Sequence, residues 1–506
     1  MPNAIAYLML FIWPAIAWGL FRATTIPKAI ILTIVLGYLF LPVQPQIDLP
    51  LLPAYDKDLV PALSAALFAW LYSRKADKLA DIAARRASSP SSTALRKQAP
   101  DAEEAEPWRK ARRKSRLNLA ISLLILMLFI GLWLTYRGNR EPLVYAKNVL
   151  VALTPYDFAA MSLSLIVQLL PFWIARRHLG TRDVQISLLR ILVFCSLGYS
   201  LLALIEVRLS PQLNTWIYGF FPHEFVQHIR GGSFRPIVFL SHGLRVGMFL
   251  SLGVLSAAIL ARLAEGKVRL AWLGAMLYLF AVLYLSRNLG AVLITTVLLP
   301  VVLVFSIRMQ ILATAMVSTL VLFYPIARGA NIVPVDRMVE VMQNLSPQRA
   351  QSFETRLNNE AMLIERANLK PLAGWGGWGR ARIYNEEGRD ISIVDGTWIN
   401  VIGQFGWMGY LGQFGLLCLP AYFVFAMRRR LKTDLLLTGP LILVAANLVD
   451  LIPNSSGVPP LWMMAGALWT QIDARRTAFN PDDLPRRLRA RGQVVAKRRP
   501  RVQMRR

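Results

Sequence analysis

The sequence predicts an all-α, polytopic membrane bundle of about 12 to 14 spans with one long loop late in the chain, and three observations predict it. Of the 506 residues 55% are apolar and the mean hydropathy is +0.44, more than soluble cores of this size hold. The apolar residues gather in runs long enough to cross about 30 Å of hydrocarbon. More than half of the net charge of +28 lies in two segments outside those runs: residues 74–117 carry 13 Lys/Arg against 6 Asp/Glu, and residues 475–506 carry 12 against 2. The positive-inside rule places such segments in the cytoplasm, where anionic headgroups attract them. No repeated aromatic-basic interleaving accompanies the charge, so nucleic acid is not an expected partner. Cys195 and Cys418 both fall in apolar runs and read as small hydrophobes, without a disulfide or a metal site.

In chain order, residues 4–21, 28–43, 58–73, 118–136, 156–175, 186–205, 240–262, 269–285, 289–306, 309–327, 397–427, 435–452 and 459–473 read as spans. Residues 1–20 contain no Lys or Arg, so the first run lacks the basic start of a signal peptide and reads as a retained span. Fixing residues 74–117 inside also puts Arg22, Lys28, Arg176, Arg177, Arg182, Arg262, Lys267, Arg269, residues 428–432 and the tail inside. The expected organisation is N-terminal helices (1–73), a basic cytoplasmic loop (74–117), a helical core (118–327), a periplasmic functional loop (328–396), C-terminal helices (397–473) and a basic cytoplasmic tail (474–506). The expected setting is a bacterial inner membrane, with the N-terminus periplasmic and the C-terminus cytoplasmic. Residues 88–106 are Ser/Ala/Pro-rich and charged, which favours disorder, and the Arg-rich tail reads as a lipid-facing anchor.

The long loop is the chemically rich piece. Residues 330–396 hold 8 Lys/Arg and 9 Asp/Glu with abundant Gly and Trp, and loops of this length in compact proteins are usually functional. Phe353, Leu357, Ala361 and Ile364 give a helix one apolar stripe, with Arg356 and Glu360 on the opposite side. Those two are one turn apart, so they read either as an ordinary i, i+4 ion pair or as ligand-binding groups, with Arg366 further along as another candidate contact. In Lys370-Pro371-Leu372-Ala373-Gly374-Trp375-Gly376-Gly377-Trp378-Gly379-Arg380 the proline stops the helix and the glycines permit close backbone approach to a ligand. Trp375 and Trp378 read either as stacking surfaces for sugar rings or as an interfacial aromatic belt. Asp395 stands just before the 397–427 run, as a carboxylate at the outer boundary or as the cap of the following helix.

Further arginines lie at the outer ends of spans, against the positive-inside bias. Arg235 and Arg245 bracket His242, and Arg287 occupies the turn Ser286-Arg287-Asn288. One such arginine is usually a snorkelling side chain. Together with Arg356 they suggest a cationic cluster suited to a diphosphate, because guanidinium groups bind phosphate oxygens bidentately. His242 reads either as a substrate contact or as a buried histidine bonded to backbone.

Through Thr355-Arg356-Leu357, Pro371, Gly374-Trp375-Gly376, Asp395-Gly396-Thr397-Trp398-Ile399, Gly403-Gln404-Phe405-Gly406 and Gly409, following Ser286-Arg287-Asn288-Leu289-Gly290-Ala291, the chain resembles the O-antigen ligase and polymerase family of bacterial surface-polysaccharide assembly. The resemblance covers most of residues 118–473. It implies a GT-C-like helical membrane fold, a donor glycan on undecaprenyl diphosphate, and no metal or other cofactor. It also implies that Arg287 matches the arginine of a Ser-Arg-Gly-Ala-like turn, Arg356 the arginine opening the loop helix, and Arg235 or Arg245 the arginine before the preceding span. Ligases of the family place a histidine just before the span that follows the loop. Here Asp395 holds that place, and His178, His223, His228 and His242 all lie elsewhere.

The expectation is therefore a membrane glycosyltransferase that polymerises undecaprenyl-diphosphate-linked oligosaccharides for exopolysaccharide, capsule or O-antigen. Asp395, Arg287 and Arg356 are its expected catalytic groups, and Arg235, Arg245, His242, Glu360, Arg366, Trp375 and Trp378 its expected substrate contacts. Membrane lipids and other polysaccharide-assembly proteins are the remaining expected partners. The alternatives are a ligase acting on a lipid acceptor, a flippase for lipid-linked sugars and a non-catalytic scaffold. A flippase predicts internal repeats and midplane charges, and no repeat is visible.

Overall fold

The computed structural model describes residues 1–48, 53–87, 116–230, 232–345, 347–429, 431, 433–455 and 457–477. The expected disordered stretch at 88–106 and nearly all of the basic tail lie outside the described residues. Helix makes up 73% of the rest. The helices are α1 (Ala4–Ala23), α2 (Ile26–Phe40), α3 (Leu59–Ala87), α4 (Arg116–Arg137), α5 (Pro155–His178), α6 (Arg182–Leu209), the short α7 (Leu213–Tyr218), α8 (Gly243–Leu263), α9 (Gly266–Leu285), α10 (Leu289–Leu303), α11 (Ile307–Gly329), α12 (Val335–Leu345), α13 (Pro347–Asn368), α14 (Thr397–Met427), α15 (Leu435–Asp450) and α16 (Pro459–Thr477). Each expected span coincides with one of them. Eight of these helices (α1, α4, α5, α6, α8, α9, α11 and α14) are long and apolar enough to cross a membrane, and α2, α10 and α15 are shorter apolar helices. The chain is a multi-pass, mostly helical membrane protein.

Burial sorts the helices. In α8, 89% of the apolar window is buried, against 22% in α9, so α8 is the central helix and α9 turns most of its surface outward. Around α8 stand α6, α9, α10 and α15. The chain entering α8 therefore reaches the middle of one end of the bundle. At the opposite end the buried charges are paired as burial requires, Arg176 of α5 meeting Asp473 of α16 at 2.7 Å, and the part-exposed Arg475 meets Asp434, the cap of α15, at 2.7 Å.

Four local features depart from the sequence reading. Helix α3 continues to Ala87, past the expected end at residue 73. Two short antiparallel ribbons were not anticipated: β1 (Leu143–Tyr145) with β2 (Asn148–Leu150), and β3 (Ile229–Arg230) with β4 (Ser233–Phe234). The long loop carries two helices, α12 and α13, instead of one. The buried side of α13 is Leu357, Leu363 and Ala367, with Glu360 partly buried beside them, so Glu360 does not lie opposite the apolar stripe.

The fourth departure explains the Gly-rich run. Helix α14 is broken at Gly406, where φ is +63° and ψ −165°. A break there withdraws the amides of Trp407 and Met408 from their usual helical partners, the carbonyls of Gly403 and Gln404. Pro371 O accepts from Trp407 N at 2.8 Å and Leu372 O from Met408 N at 3.2 Å, while Trp375 N and Gly376 N donate to Gly403 O and Gln404 O at 2.9 and 2.8 Å. All four orphaned groups are thus satisfied by residues 371–376, as buried backbone demands. A Cβ on Gly406 would lie 2.4 Å from Leu372 O, and one on Gly374 would lie 2.6 Å from Gln404 O. Gly374 and Gly406 thus let backbone approach backbone, whereas a Cβ on Gly377 would meet nothing within 4 Å.

Candidate active site

The approach to α8 is built by buried polar side chains. Glu206, near the end of α6, accepts from Leu213 N at 3.0 Å and from Ile237 N and Val238 N at 2.7 Å each. Tyr199 accepts from Phe239 N at 3.1 Å, and the Lys57 ammonium donates to Phe239 O at 2.7 Å. Under this grip Val238 takes φ +55°, a costly conformation for a β-branched residue and one that persists only where the surroundings over-determine it. Burial, with a contribution from nearby Arg245, pushes the Lys57 ammonium down to about 7 although Asp58 opposes the shift. His242 then caps α8, its Nδ1 accepting from Leu244 N at 3.0 Å.

Onto this mouth converge three arginines from distant parts of the chain. The Arg235 side chain lies along the first turn of α8, where a Cβ on Gly243 would meet its Cγ at 2.5 Å, and it donates to Arg287 O at 3.3 Å. Arg287 sits at φ +56° in the tight turn between α9 and α10. Its neighbours are buried: Ser286 bonds Leu283 O, and Asn288 both caps α10 through Ala291 N and reaches Leu244 O at 3.0 Å. Arg287 itself is exposed, and no carboxylate among the described residues pairs with it. Arg356 comes from α13, and its Nε lies 3.1 Å from Asp395 Oδ2. Asp395 does not cap α14, whose N-cap is Gly396. It is held in place by its neighbours: Asn359 Oδ1 accepts from Ile393 N at 2.9 Å, and Thr397 N donates to Leu451 O at 3.0 Å.

His242 registers two of these arginines, Arg235 and Arg356. Burial first, then His228, His223, Arg235 and Arg356, hold its imidazole down to about 3, so it is neutral at physiological pH and a weak proton acceptor. His223 and His228, which the sequence analysis gave no role, stand beside it with ring centroids 4.7 and 4.9 Å from that of His242.

The remaining sequence candidates separate from this group. Arg245, in the first turn of α8, lies near Lys57, and of the two arginines bracketing His242 it is Arg235 that bonds the Arg287 carbonyl. Glu360 pairs with Arg328 of α11 at 2.8 Å, not with Arg356, and Tyr324 also donates to it at 3.2 Å. Desolvation raises its pKa against the opposing pull of Arg328. Glu360 is therefore an anchor between α13 and α11. Arg366 and Trp375 are structural too. The guanidinium stacks 3.5 Å from the Trp375 ring centre and donates to Tyr145 Oη at 2.6 Å, while the buried indole donates to Arg366 O at 2.8 Å. Trp378 is different: it is 55% exposed at φ +52° and remains available to a sugar or to the membrane interface.

Sequence reasoning missed Arg380, Arg328, Glu206 and Lys57. Arg380 is 1% exposed and donates to the carbonyls of Glu141, Val151 and Trp375 at 2.9, 2.7 and 3.3 Å, tying the Gly-rich run to the β1–β2 ribbon. An acidic residue isolated near the end of an apolar run was the available signal for Glu206. Beyond Lys57 a cavity of about 330 Å³ opens between the start of α3, the middle of α5 and the start of α16, lined among others by Asp56, Asp58, Ser164, Gln168 and Trp462. No protein-family model matches the chain, and a search of curated proteins finds no significant match.

Proposed function

We propose that this protein is a membrane glycosyltransferase that extends polysaccharide from lipid-diphosphate-linked oligosaccharides, a polymerase rather than a ligase. The observation that carries the reading is the gathering of Arg235, the exposed Arg287 turn whose carbonyl Arg235 bonds, and Arg356 around one mouth of a membrane bundle, with a carboxylate, Asp395, against Arg356. A departing lipid diphosphate develops negative charge, and preorganised guanidinium donors stabilise that charge where water is partly excluded. The acceptor sugar's hydroxyl attacks the anomeric carbon as the bond to the diphosphate oxygen breaks. The hydroxyl proton passes to Asp395, which Arg356 orients. One carboxylate and a single displacement invert the anomeric centre. Exposed Trp378 offers a stacking face for a sugar ring, and the cavity lined by Asp56, Asp58 and Gln168, the two aspartates flanking Lys57 in the chain, offers hydroxyl-binding groups.

The purified protein in lipid vesicles, given undecaprenyl-diphosphate-linked repeat units, is expected to yield a ladder of polymer on a gel. Arg287→Ala and Arg356→Ala are expected to lose the ladder while remaining folded and membrane-inserted. Unaltered polymer from both variants would overturn the assignment of the site, and movement of intact lipid-linked sugar between leaflets without any polymer would favour a flippase.

A further inference from the structure

Three of the four histidines in the chain, His223, His228 and His242, each present a ring nitrogen, and these nitrogens all lie within 4.8 Å of one another. They arrive from different places. His223 lies in the turn after α7, His228 ends the short 3-10 helix Phe225–His228, and His242 caps α8. Glu206, Tyr199 and Lys57 hold the backbone between the last two. The backbone also ties His228 to the mouth, since its carbonyl accepts from Arg235 N at 2.8 Å.

We infer that His223, His228 and His242 form a binding site for one late first-row divalent cation, with zinc the best match, whose fourth coordination position opens toward the arginine mouth. The donor set decides the class of ion. Imidazole nitrogens suit zinc, copper, nickel and cobalt, whereas magnesium and calcium require oxygen ligands, and no carboxylate belongs to the cluster. Three histidines with an open fourth site are a known arrangement for reactive zinc. The burial gradient is also suitable: His228 is buried, His242 intermediate and His223 exposed, which leaves an entry path from solvent.

The distances require a modest closure. Zinc–nitrogen bonds of about 2.0 to 2.1 Å in tetrahedral geometry put ligand nitrogens about 3.4 Å apart, so the widest pair must approach by something over 1 Å. The exposed His223 side chain can rotate to supply most of that. His242 must also change. Its Nδ1 accepts the Leu244 amide, so in the neutral ring the proton sits on Nε2. Ligation through Nε2 moves that proton to Nδ1 and ends the cap bond, with no net proton released. Arg235 and Arg356 stand close enough to His242 to repel a bare dication. An anion in the fourth position, whether hydroxide, chloride or a phosphate oxygen, offsets that repulsion.

The test uses full-length, tag-free protein in detergent, stripped with a chelator and titrated with zinc against a chromophoric competitor, with cobalt as a spectroscopic stand-in. The expected result is one zinc per chain and the intense visible bands of tetrahedral cobalt. His223→Ala is expected to weaken zinc binding by more than the roughly 10- to 100-fold that loss of an outer-shell partner costs, without changing the melting temperature of the metal-free protein. His178→Ala, whose histidine ends α5 at the opposite end of the bundle, is expected to bind as the parent does. Because His223 is exposed its variant folds, so unchanged zinc affinity in His223→Ala, or no saturable zinc binding by the parent at micromolar concentration, would overturn the site. This readout is independent of glycosyl transfer.

Discussion

Two arginine-rich regions lie on the same side of this protein and do opposite things. At the dock of the Gly-rich run, Arg380 is almost wholly buried and donates to carbonyls from three segments, while Arg366 is stacked on Trp375 and bonded to Tyr145. At the mouth of α8, Arg287 is exposed on a strained turn without a carboxylate partner among the described residues, and Arg356 keeps a half-exposed ion pair. The first pair of guanidinium groups is packed against the chain and holds one segment to another. The second retains donors for something not part of the chain. Accounting for donors, more than position in a loop, separates a structural arginine from one that can act on a ligand.

The sharpest way to break this contrast is at the mouth. Arg287→Ala and Arg356→Ala are each expected to cost about 2 to 4 kcal/mol of transition-state stabilisation, roughly 30- to 1,000-fold in polymer formed per unit time, with melting temperature unchanged. Lysine keeps the charge and loses the bidentate fork, so Lys variants should fall between. Asp395→Asn is expected to cost at least about 100-fold in turnover, because an amide cannot take up the proton, and to leave stability nearly intact because the ion pair is half-exposed. Turnover near that of the parent would reduce Asp395 to a partner that orients Arg356.

At the dock the readout moves from rate to stability. Arg380→Ala strands several buried carbonyls, and a loss on the order of 3 kcal/mol is expected in detergent melting or denaturant titration. If its melting temperature matched the parent's, the dock would not need that clamp. Gly406→Ala forces a side chain into the left-handed region against Leu372 O, for an expected loss of about 1 to 3 kcal/mol. Gly198→Ala, inside α6 with nothing within 4 Å of the new Cβ, should be neutral or slightly stabilising.

A modest effect beside the mouth depends on pH. Burial holds Lys57 near 7 in the folded protein against an ordinary 10.5. The unfolded chain therefore binds more protons in this window, and stability rises with pH. Between pH 7 and 8 the parent should gain about 1 kcal/mol relative to Lys57→Met, read as the difference between their melting curves. Parallel curves would show that Lys57 is solvated.

How much of this was legible in the sequence depends on the range of the interaction. Apolar runs of membrane-crossing length depend on hydrocarbon thickness, which acts locally along the chain, so the apolar helices could be read directly, whereas the one cap considered, Asp395, gives way to Gly396. Even there, α3 outran its apolar core, because a helix continues as long as its backbone bonds do and does not end where hydrophobicity ends. Within the site, the arginines were recognisable as chemically apt residues, but their partners were not. Arg356 had Glu360 one turn away and pairs instead with Asp395. Glu360 turns inward to Arg328, and Gly374 and Gly376 meet the break in α14 at Gly406. Only the tertiary structure decided these matters, and it alone joined His223 and His228 to His242, because contacts between residues far apart in sequence are set by which helices pack together and leave no periodic trace in the sequence itself.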